Sequence, residues 1–343
     1  MTTTQQPRTD RPPVAVLCQL DEPLPDLSAV ADQLDLRFTD AAGLRGAVDG
    51  AAALFLWDFF SSAVSDVWAD AGSLEWIHVA AAGVDTLLFD ELATSDVVVT
   101  NARGVFDRPI AEFVLASILA QLKQLHLSRD LQRDRVWRHR ETETLGTQRA
   151  LVVGTGAIGR EIGRVLRSLG VQVRGAGRTA RANDPDFDEV VESQRLPDHV
   201  GWADHVVVVA PLTDQTRGLV DATVLAAMRP GAHLVNVGRG PIVDEVALLA
   251  SLDSGHLGAA SLDVFSTEPL PADSPLWAHP SVVISPHMSG DFVGWRDTLA
   301  RQFVDNAERW LAGLPLVNVV DKRLGFVPPS AQRVSAAPAP SAS

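Results

Sequence analysis

Arg239 follows the apolar run "HLVNVG", Glu268 lies a few residues beyond "ASLDVF", and His287 follows "VVISP". Each sits just past a short segment of strand type, and in an open parallel sheet the carboxyl ends of the strands face the ligand crevice. The three side chains make one chemistry. An arginine holds a carboxylate bidentately and polarises an adjacent carbonyl. An imidazole titrates near neutrality, so it delivers or accepts the proton that accompanies carbonyl reduction or its reverse. A carboxylate bonded to the other ring nitrogen fixes the tautomer and favours the protonated ring. Taken singly, each residue has a structural alternative: Glu268 an exposed loop residue, Arg239 a helix-start or surface arginine, His287 a satisfied histidine beside a turn. His78, His205 and His233 lie in or beside apolar strands, where a structural role is expected, and His279 is a rival placed in the preceding loop.

A reduction needs a hydride source, and "GTGAIG" supplies a place for one. Gly154, Gly156 and Gly159 follow the strand-like "ALVV" and open a helical stretch. Glycines there permit a tight turn, close approach of backbone to a pyrophosphate, and close helix packing, while N–H groups at the helix start attract phosphate. The next strand, "VQVRGAG", ends where an Asp or Glu would bind the adenosine ribose of NAD, and Gly177 occupies that place. Arg178, Thr179 and Arg181 follow, a set that can bind a 2′-phosphate. The stretch points to NADP(H) as the preferred cofactor, with NAD(H) also possible. The alternative is a solvated basic loop, because this chain uses arginine almost to the exclusion of lysine.

Two series of apolar runs must position these residues. "PVAVLCQL", "LDLRF", "AAALFLW", "LEWIHVAA" and "DVVVTN" form the first, and "RALVVGTGAIG", "VQVRGAG", "DHVVVVAP", "AHLVNVG", "GAASLDVF" and "SVVISPH" the second. Between them, "RPIAEFVLASILAQLKQLHLSRDLQRDRVW" has helical spacing after Pro109 and predicts one long connecting helix. The fold class is α/β with two doubly wound parallel-sheet domains: a flavodoxin-like substrate domain, discontinuous, and a Rossmann dinucleotide-binding domain. The expected boundaries are 13–102 with 291–325 for the substrate domain and 103–290 for the dinucleotide domain. The helix in "WRDTLARQFVDNAERWLAG" returns to the first domain, and residues 1–12 and 326–343 are expected to be disordered tails.

Composition narrows the partners. A formal net charge of -14 opposes nucleic acid, which needs clustered Lys and Arg. One cysteine, Cys18, excludes an intramolecular disulfide and a multi-cysteine metal site, and no metal is expected. The amino terminus has no apolar signal core and the longest apolar helical segment is too short for a bilayer, so a cytoplasmic protein without a membrane partner is expected. The absence of tyrosine counts against reductases that use a tyrosine acid.

With these residues placed, residues 50 to 325 resemble the D-isomer-specific 2-hydroxyacid dehydrogenases, carrying "GTGAIG", "PLTDQTRGLV", "VNVGRGPIVDEVALLASLDSGHLGAASLDVFSTEPLP" and "SPHMSG" in the family's order. The resemblance implies that Arg239 binds the carboxylate of a 2-oxo acid, His287 is the acid in reduction, and Glu268 pairs with His287. It implies that "AAGVD" lends backbone N–H groups near Ala82, Gly83 and Val84 to the substrate. It places Ala157 and Ile158 at the pyrophosphate, Ala210, Pro211 and Thr216 near the adenosine, and Val237 and Asp263 near the nicotinamide. Ser289 and Gly290 of "SPHMSG" join the cofactor contacts. "GAGRTAR" resembles the NADPH-dependent glyoxylate/hydroxypyruvate reductase branch. Glu268 stands where formate dehydrogenases of the superfamily carry glutamine, which argues against formate. Relatives pair through the dinucleotide domain, so a homodimer is expected. Trp57 is a candidate pocket wall, with a core role as the alternative. The rival readings are an NAD-preferring dehydrogenase for a bulkier 2-oxo acid and a dinucleotide-responsive binding protein of the same fold.

Overall fold

The computed structural model describes residues 11–328. Short runs of β-branched and aliphatic residues, apolar on both faces, form parallel strands covered by helices. Five make the first sheet: β1 (Pro13–Leu17), β2 (Asp35–Thr39), β3 (Ala53–Leu56), β4 (Trp76–Val79) and β5 (Val98–Asn101). Their order is β2-β1-β3-β4-β5, all parallel, the doubly wound order of flavodoxin-like sheets. Seven make the second: β6 (Arg149–Val153), β7 (Gln172–Gly177), β8 (Val190–Glu192), β9 (His205–Val208), β10 (His233–Asn236), β11 (Ala259–Leu262) and β12 (Val282–Ile284). The order β12-β11-β10-β9-β6-β7-β8 is that of a Rossmann sheet extended by one strand. Strand order reverses between β6 and β9, whose registered pairs run from Ala150–His205 to Val153–Val208.

The chain divides into two compact units, one running to Val105 and resuming at Val293, the other Phe106–Phe292. The first is closed by the helix Trp295–Leu311, which brings Phe303 flat against Phe55, ring centroids 4.1 Å apart, and against Trp76 at 5.3 Å. All three side chains are fully buried. The α/β rhythm of the sequence is thus realised in both units, and the first is discontinuous in sequence.

Three local features differ from the sequence reading. The long connecting helix is two helices, Asp107–Leu122 and Leu125–Arg133, bent by 59°. Neither Pro nor Gly marks the break. Gln124 adopts φ 49°, and Arg140 holds it by donating from Nε to its side-chain oxygen at 2.8 Å and from Nη2 to its carbonyl at 3.0 Å. That partner is 16 residues away, which explains why spacing alone did not reveal the bend. The short edge strand β8 is also new; Val190–Glu192 pairs with β7, and Val190 also bridges Arg181. The tails lie mostly outside the described residues, but their inner ends are packed. Arg11 bonds the carbonyls of Ala31 and Leu34, Pro12 is buried, and Val327 is buried with its carbonyl accepting from Arg103 at 2.5 Å. Among the described residues, no single helix is long and apolar enough to cross a membrane.

Three histidines are built into the sheets. Burial pushes His78 on β4 down to about 3, His205 on β9 to about 4 and His233 on β10 to about 3. They stay neutral in the fold, His78 bonding Thr100 at 2.8 Å and His233 bonding His205 at 3.3 Å and Ser261 at 3.0 Å. An unfolded histidine takes up its proton near pH 6.5, so their contribution is full above that value and is lost as pH falls towards the folded values. Each histidine removes up to about 1.4 kcal/mol per pH unit in that window. Urea unfolding between about pH 7.5 and 5 should show stability falling steeply with acid; a flat profile would contradict the neutral, buried assignment.

Candidate active site

Arg239, Glu268 and His287 come together on the carboxyl edge of the seven-stranded sheet, each in the loop after its own strand, β10, β11 and β12. His287 Nδ1 donates to Glu268 Oε2 at 2.7 Å, and the other carboxylate oxygen accepts the Phe265 N–H at 2.8 Å. Burial works against a charged Glu268. The hydrogen bonds from His287 and Phe265 and the positive fields of His287 and Arg239 outweigh it and hold the carboxyl below its ordinary range. An ionised Glu268 keeps the proton of Nδ1 on the ring, which assigns proton exchange with a substrate to Nε2. The His279 ring is engaged elsewhere, its Nδ1 accepting from Ser281 and its Nε2 3.6 Å from Asp253.

His287 is held with φ 53°, a left-handed conformation that costs a side-chain-bearing residue on the order of 1 kcal/mol. The carboxylate of Asp263, fully buried at the end of β11, offsets that cost. It accepts the N–H groups of Met288 at 2.9 Å and Ser289 at 3.0 Å, while the Asp263 carbonyl accepts the N–H of His287 at 2.8 Å. Asn236 does the same for the arginine loop: its side chain accepts from Gly238 N–H at 3.1 Å and donates to the Arg239 carbonyl at 3.2 Å. Glu245 accepts the Ser266 N–H at 2.5 Å beside the glutamate loop. The supporting roles of Asn236 and Glu245 were absent from the sequence reading; an Asn closing a strand before a Gly-containing turn was the available signal for the first.

Gly240 joins two of these loops. A Cβ built there would lie 1.8 Å from the Phe265 carbonyl carbon and 2.3 Å from the Ser266 nitrogen. The backbone after Arg239 therefore packs directly on the backbone whose N–H orients Glu268. Gly240→Ala should displace that segment and lower turnover at least about 10-fold, as a misplaced catalytic group does. Cofactor affinity, read by fluorescence titration, should be retained; an alanine enzyme with normal turnover would show that the contact does not position Glu268.

The glycine loop fits a dinucleotide pyrophosphate. A Cβ on Gly159 would lie 1.9 Å from the Gly154 carbonyl oxygen, and one on Gly154, at φ 119°, would lie 2.7 Å from the Ala210 nitrogen. Gly156, in contrast, has no atom within 4 Å of that position. The helix Ala157–Ser168 starts there without a side-chain cap, so space and helix-start N–H groups of Ala157 and Ile158 meet at one point. Other residues assigned to the cofactor have structural partners as well. Thr216 donates to the Pro211 carbonyl at 2.6 Å and accepts from Thr213 N–H, closing the loop after β9. Val237 and Ser289 are buried, and a Cβ on Gly290 would lie 2.8 Å from the Phe106 ring.

Beyond β7, Arg178 and Thr179 are exposed. Arg181 Nε donates to Asp184 at 3.2 Å. Asp184 also takes Arg160 Nη1 at 2.8 Å and Nη2 at 3.0 Å, and Asp186 takes Nη1 at 2.7 Å. Burial opposes the charge on Asp184, yet the arginines and the Asp186 N–H lower it to about 2. A depressed carboxyl contributes stability above its ordinary range near 3.8, and that contribution disappears as pH falls through about 2. Asp184→Asn should therefore cost about 2 kcal/mol at neutral pH and progressively less below pH 4 in denaturant unfolding; an equal loss at both extremes would assign the cost to packing.

Ala82, Gly83, Val84 and Trp57 belong to the other unit. The Ala82 carbonyl accepts from Asn101 at 2.6 Å, and Val84 is buried in that unit's core. Trp57 is also buried, donating from Nε1 to the Pro23 carbonyl at 3.3 Å and packing edge-on to Phe55 at 5.6 Å, the place of a core residue.

The family model for the NAD binding domain of D-isomer specific 2-hydroxyacid dehydrogenases matches residues 115–289. The (S)-sulfolactate dehydrogenase of Chromohalobacter salexigens is 36% identical over 231 residues, covering 67% of this chain and 75% of that protein. The D-3-phosphoglycerate dehydrogenase of Bacillus subtilis is 31% identical over 268 residues, covering 75% of this chain; the match spans only 49% of that relative's length. A D-isomer specific 2-hydroxyacid dehydrogenase from Xanthobacter autotrophicus in complex with NADPH and MES has a TM-score of 0.79 at 33% identity, covering 92% of this chain and 100% of that one. The NADPH-dependent glyoxylate/hydroxypyruvate reductase of Sinorhizobium meliloti in complex with NADP and sulfate has a TM-score of 0.77 at 27% identity, with the same coverage. The chain belongs to the D-isomer specific 2-hydroxyacid dehydrogenase family and is an NAD(P)-dependent oxidoreductase.

Proposed function

We propose that this enzyme reduces a small 2-oxo acid of the glyoxylate or hydroxypyruvate type to the D-2-hydroxy acid, with NADP(H) preferred. The observation that carries the reading is the 2.7 Å bond between His287 and Glu268, with Arg239 near enough for its charge to act on that carboxylate. The cofactor, when bound, supplies the hydride for the carbonyl carbon. Arg239 holds the substrate carboxylate and draws electron density from the neighbouring carbonyl. His287 gives the proton on Nε2 to the carbonyl oxygen, and Glu268 stabilises the charged ring before that transfer. In oxidation the same nitrogen takes the proton back.

Preference for NADP(H) is supported by Gly177 in place of an acid and by exposed Arg178 and Thr179 beyond it. The engagement of Arg181 by Asp184 is the specific observation that keeps NADH as a second reading. The (S)-sulfolactate relative adds the oxidised form of sulfolactate to the substrate panel.

The test is steady-state oxidation of NADPH and of NADH with glyoxylate, hydroxypyruvate and 3-sulfopyruvate, repeated with Arg178→Ala. A charge-assisted hydrogen bond is worth about 1.5–3 kcal/mol, so the variant should weaken NADPH by roughly 10-fold or more and leave NADH nearly unchanged. NADH preference with an indifferent Arg178→Ala would reject the NADP(H) reading. His287→Ala should keep cofactor binding and lose about 10²–10⁴ in turnover. Glu268→Gln should move the alkaline limb of the reductive kcat/KM profile to lower pH, since removing the anion disfavours the protonated ring; an unmoved limb would separate Glu268 from the proton transfer.

A further inference from the structure

Thr155, the second residue of the glycine loop, lies over the end of β7. Gly175 and Gly177 are two residues apart on that strand and so share a face. A Cβ on Gly175 would lie 2.8 Å from Thr155 Cγ2, and a Cβ on Gly177 would lie 2.7 Å from Thr155 Oγ1 and 3.4 Å from its Cγ2. Both separations below 3 Å are shorter than real Cβ contacts. Of the two other staggered rotamers, one puts the methyl where Oγ1 stands and only the other, with Oγ1 in the methyl's present place 3.4 Å from the built Cβ, admits a side chain at Gly177, and β-branched residues are stiff about that bond. Phe187 closes the other side of Gly175, 3.1 Å from the same built Cβ.

From this geometry we infer that Thr155 is a specificity-determining residue for the adenosine ribose: it fills the space from which an acidic residue 177 would reach the 2′ position, and it presents a hydroxyl there instead. The inference rests on the NADP(H) reading and deepens it. A carboxylate at residue 177 would accept from a ribose hydroxyl and repel a 2′-phosphate. A threonine hydroxyl donates to phosphate oxygen and carries no charge. Discrimination therefore belongs to the glycine loop as well as to the arginines after β7, and exchanging Gly177 alone does not reverse it.

The experiment is a fluorescence titration of NADPH and NADH binding to the full chain, which carries eight tryptophans as reporters. Four variants are compared: Thr155→Val, Thr155→Ala, Gly177→Asp, and Thr155→Ala combined with Gly177→Asp. Thr155→Val preserves bulk and removes the hydroxyl, so NADPH should weaken by roughly 5- to 10-fold and NADH by less than about 2-fold. Gly177→Asp alone should lose NADPH without gaining NADH. The combined variant should bind NADH at least about 10-fold more tightly than Gly177→Asp alone. If Gly177→Asp alone binds NADH as well as the combined variant, or Thr155→Val weakens both cofactors equally, the inference is overturned. Circular dichroism melts check folding, and Thr155→Val decides the hydroxyl's role even if Gly177→Asp does not fold. A wild-type enzyme that prefers NADH would instead reject the NADP(H) reading, and the comparison of Gly177→Asp with the combined variant would still decide the steric part.

Discussion

The candidate active site depends on one buried anion that takes no part in the proposed proton transfer. Asp263 directly follows β11 with its carboxylate fully buried, and its two oxygens take the N–H groups of Met288 and Ser289. Hydrogen bonds to an ionised group are worth about 1.5–3 kcal/mol each, enough to hold His287 in a backbone conformation that it would otherwise avoid. The loop after β12 is thereby tied to the end of β11. The same segment, two residues beyond Asp263, provides the Phe265 N–H that fixes Glu268. One element thus sets both partners of the His–Glu pair, and Gly240 brings the arginine loop down on that segment by backbone contact.

The legible part of this arrangement is periodic. Parallel strands read as apolar runs, their carboxyl ends lie on one edge, and a charged residue just past each run therefore falls on a common edge. Arg239, Glu268 and His287 could be read together for that reason, and Gly154, Gly156 and Gly159 because glycine spacing at a strand-to-helix turn has a steric cause. The contacts made by Asn236, Glu245 and Asp263 were illegible because each is a side chain bonded to the backbone of another segment. No local period records such a bond. The bend at Gln124 was missed for the same reason, since Arg140, the residue that stabilises it, lies in a later loop. β8 has only three residues, too few to display an alternation.

Charge beside β7 shows how composition misleads when it is read without pairing. "GAGRTAR" looks basic in sequence, but Asp184 takes the Nε of Arg181 and both Nη groups of Arg160. The four groups Arg160, Arg181, Asp184 and Asp186 balance one another. They also tie the loop after β7 to the first turn of the helix that follows the glycine loop. The loop is ordered by ion pairs that are partly shielded from water, a setting where such pairs are stronger than at the open surface.

The two ends of the Rossmann unit solve different problems with the same device. At Gly240 the missing side chain lets backbone meet backbone, so that the geometry of a reacting group is set by a rigid contact. At Gly175 and Gly177 the missing side chains make room for Thr155, so that a side chain of the glycine loop occupies the face of β7 beside its end. In both places the glycine's function is carried by the residue that occupies or overlies its vacated volume. A Gly-to-Asp exchange at residue 177 is therefore a change at two residues, because the new Cβ enters only if Thr155 leaves its present rotamer.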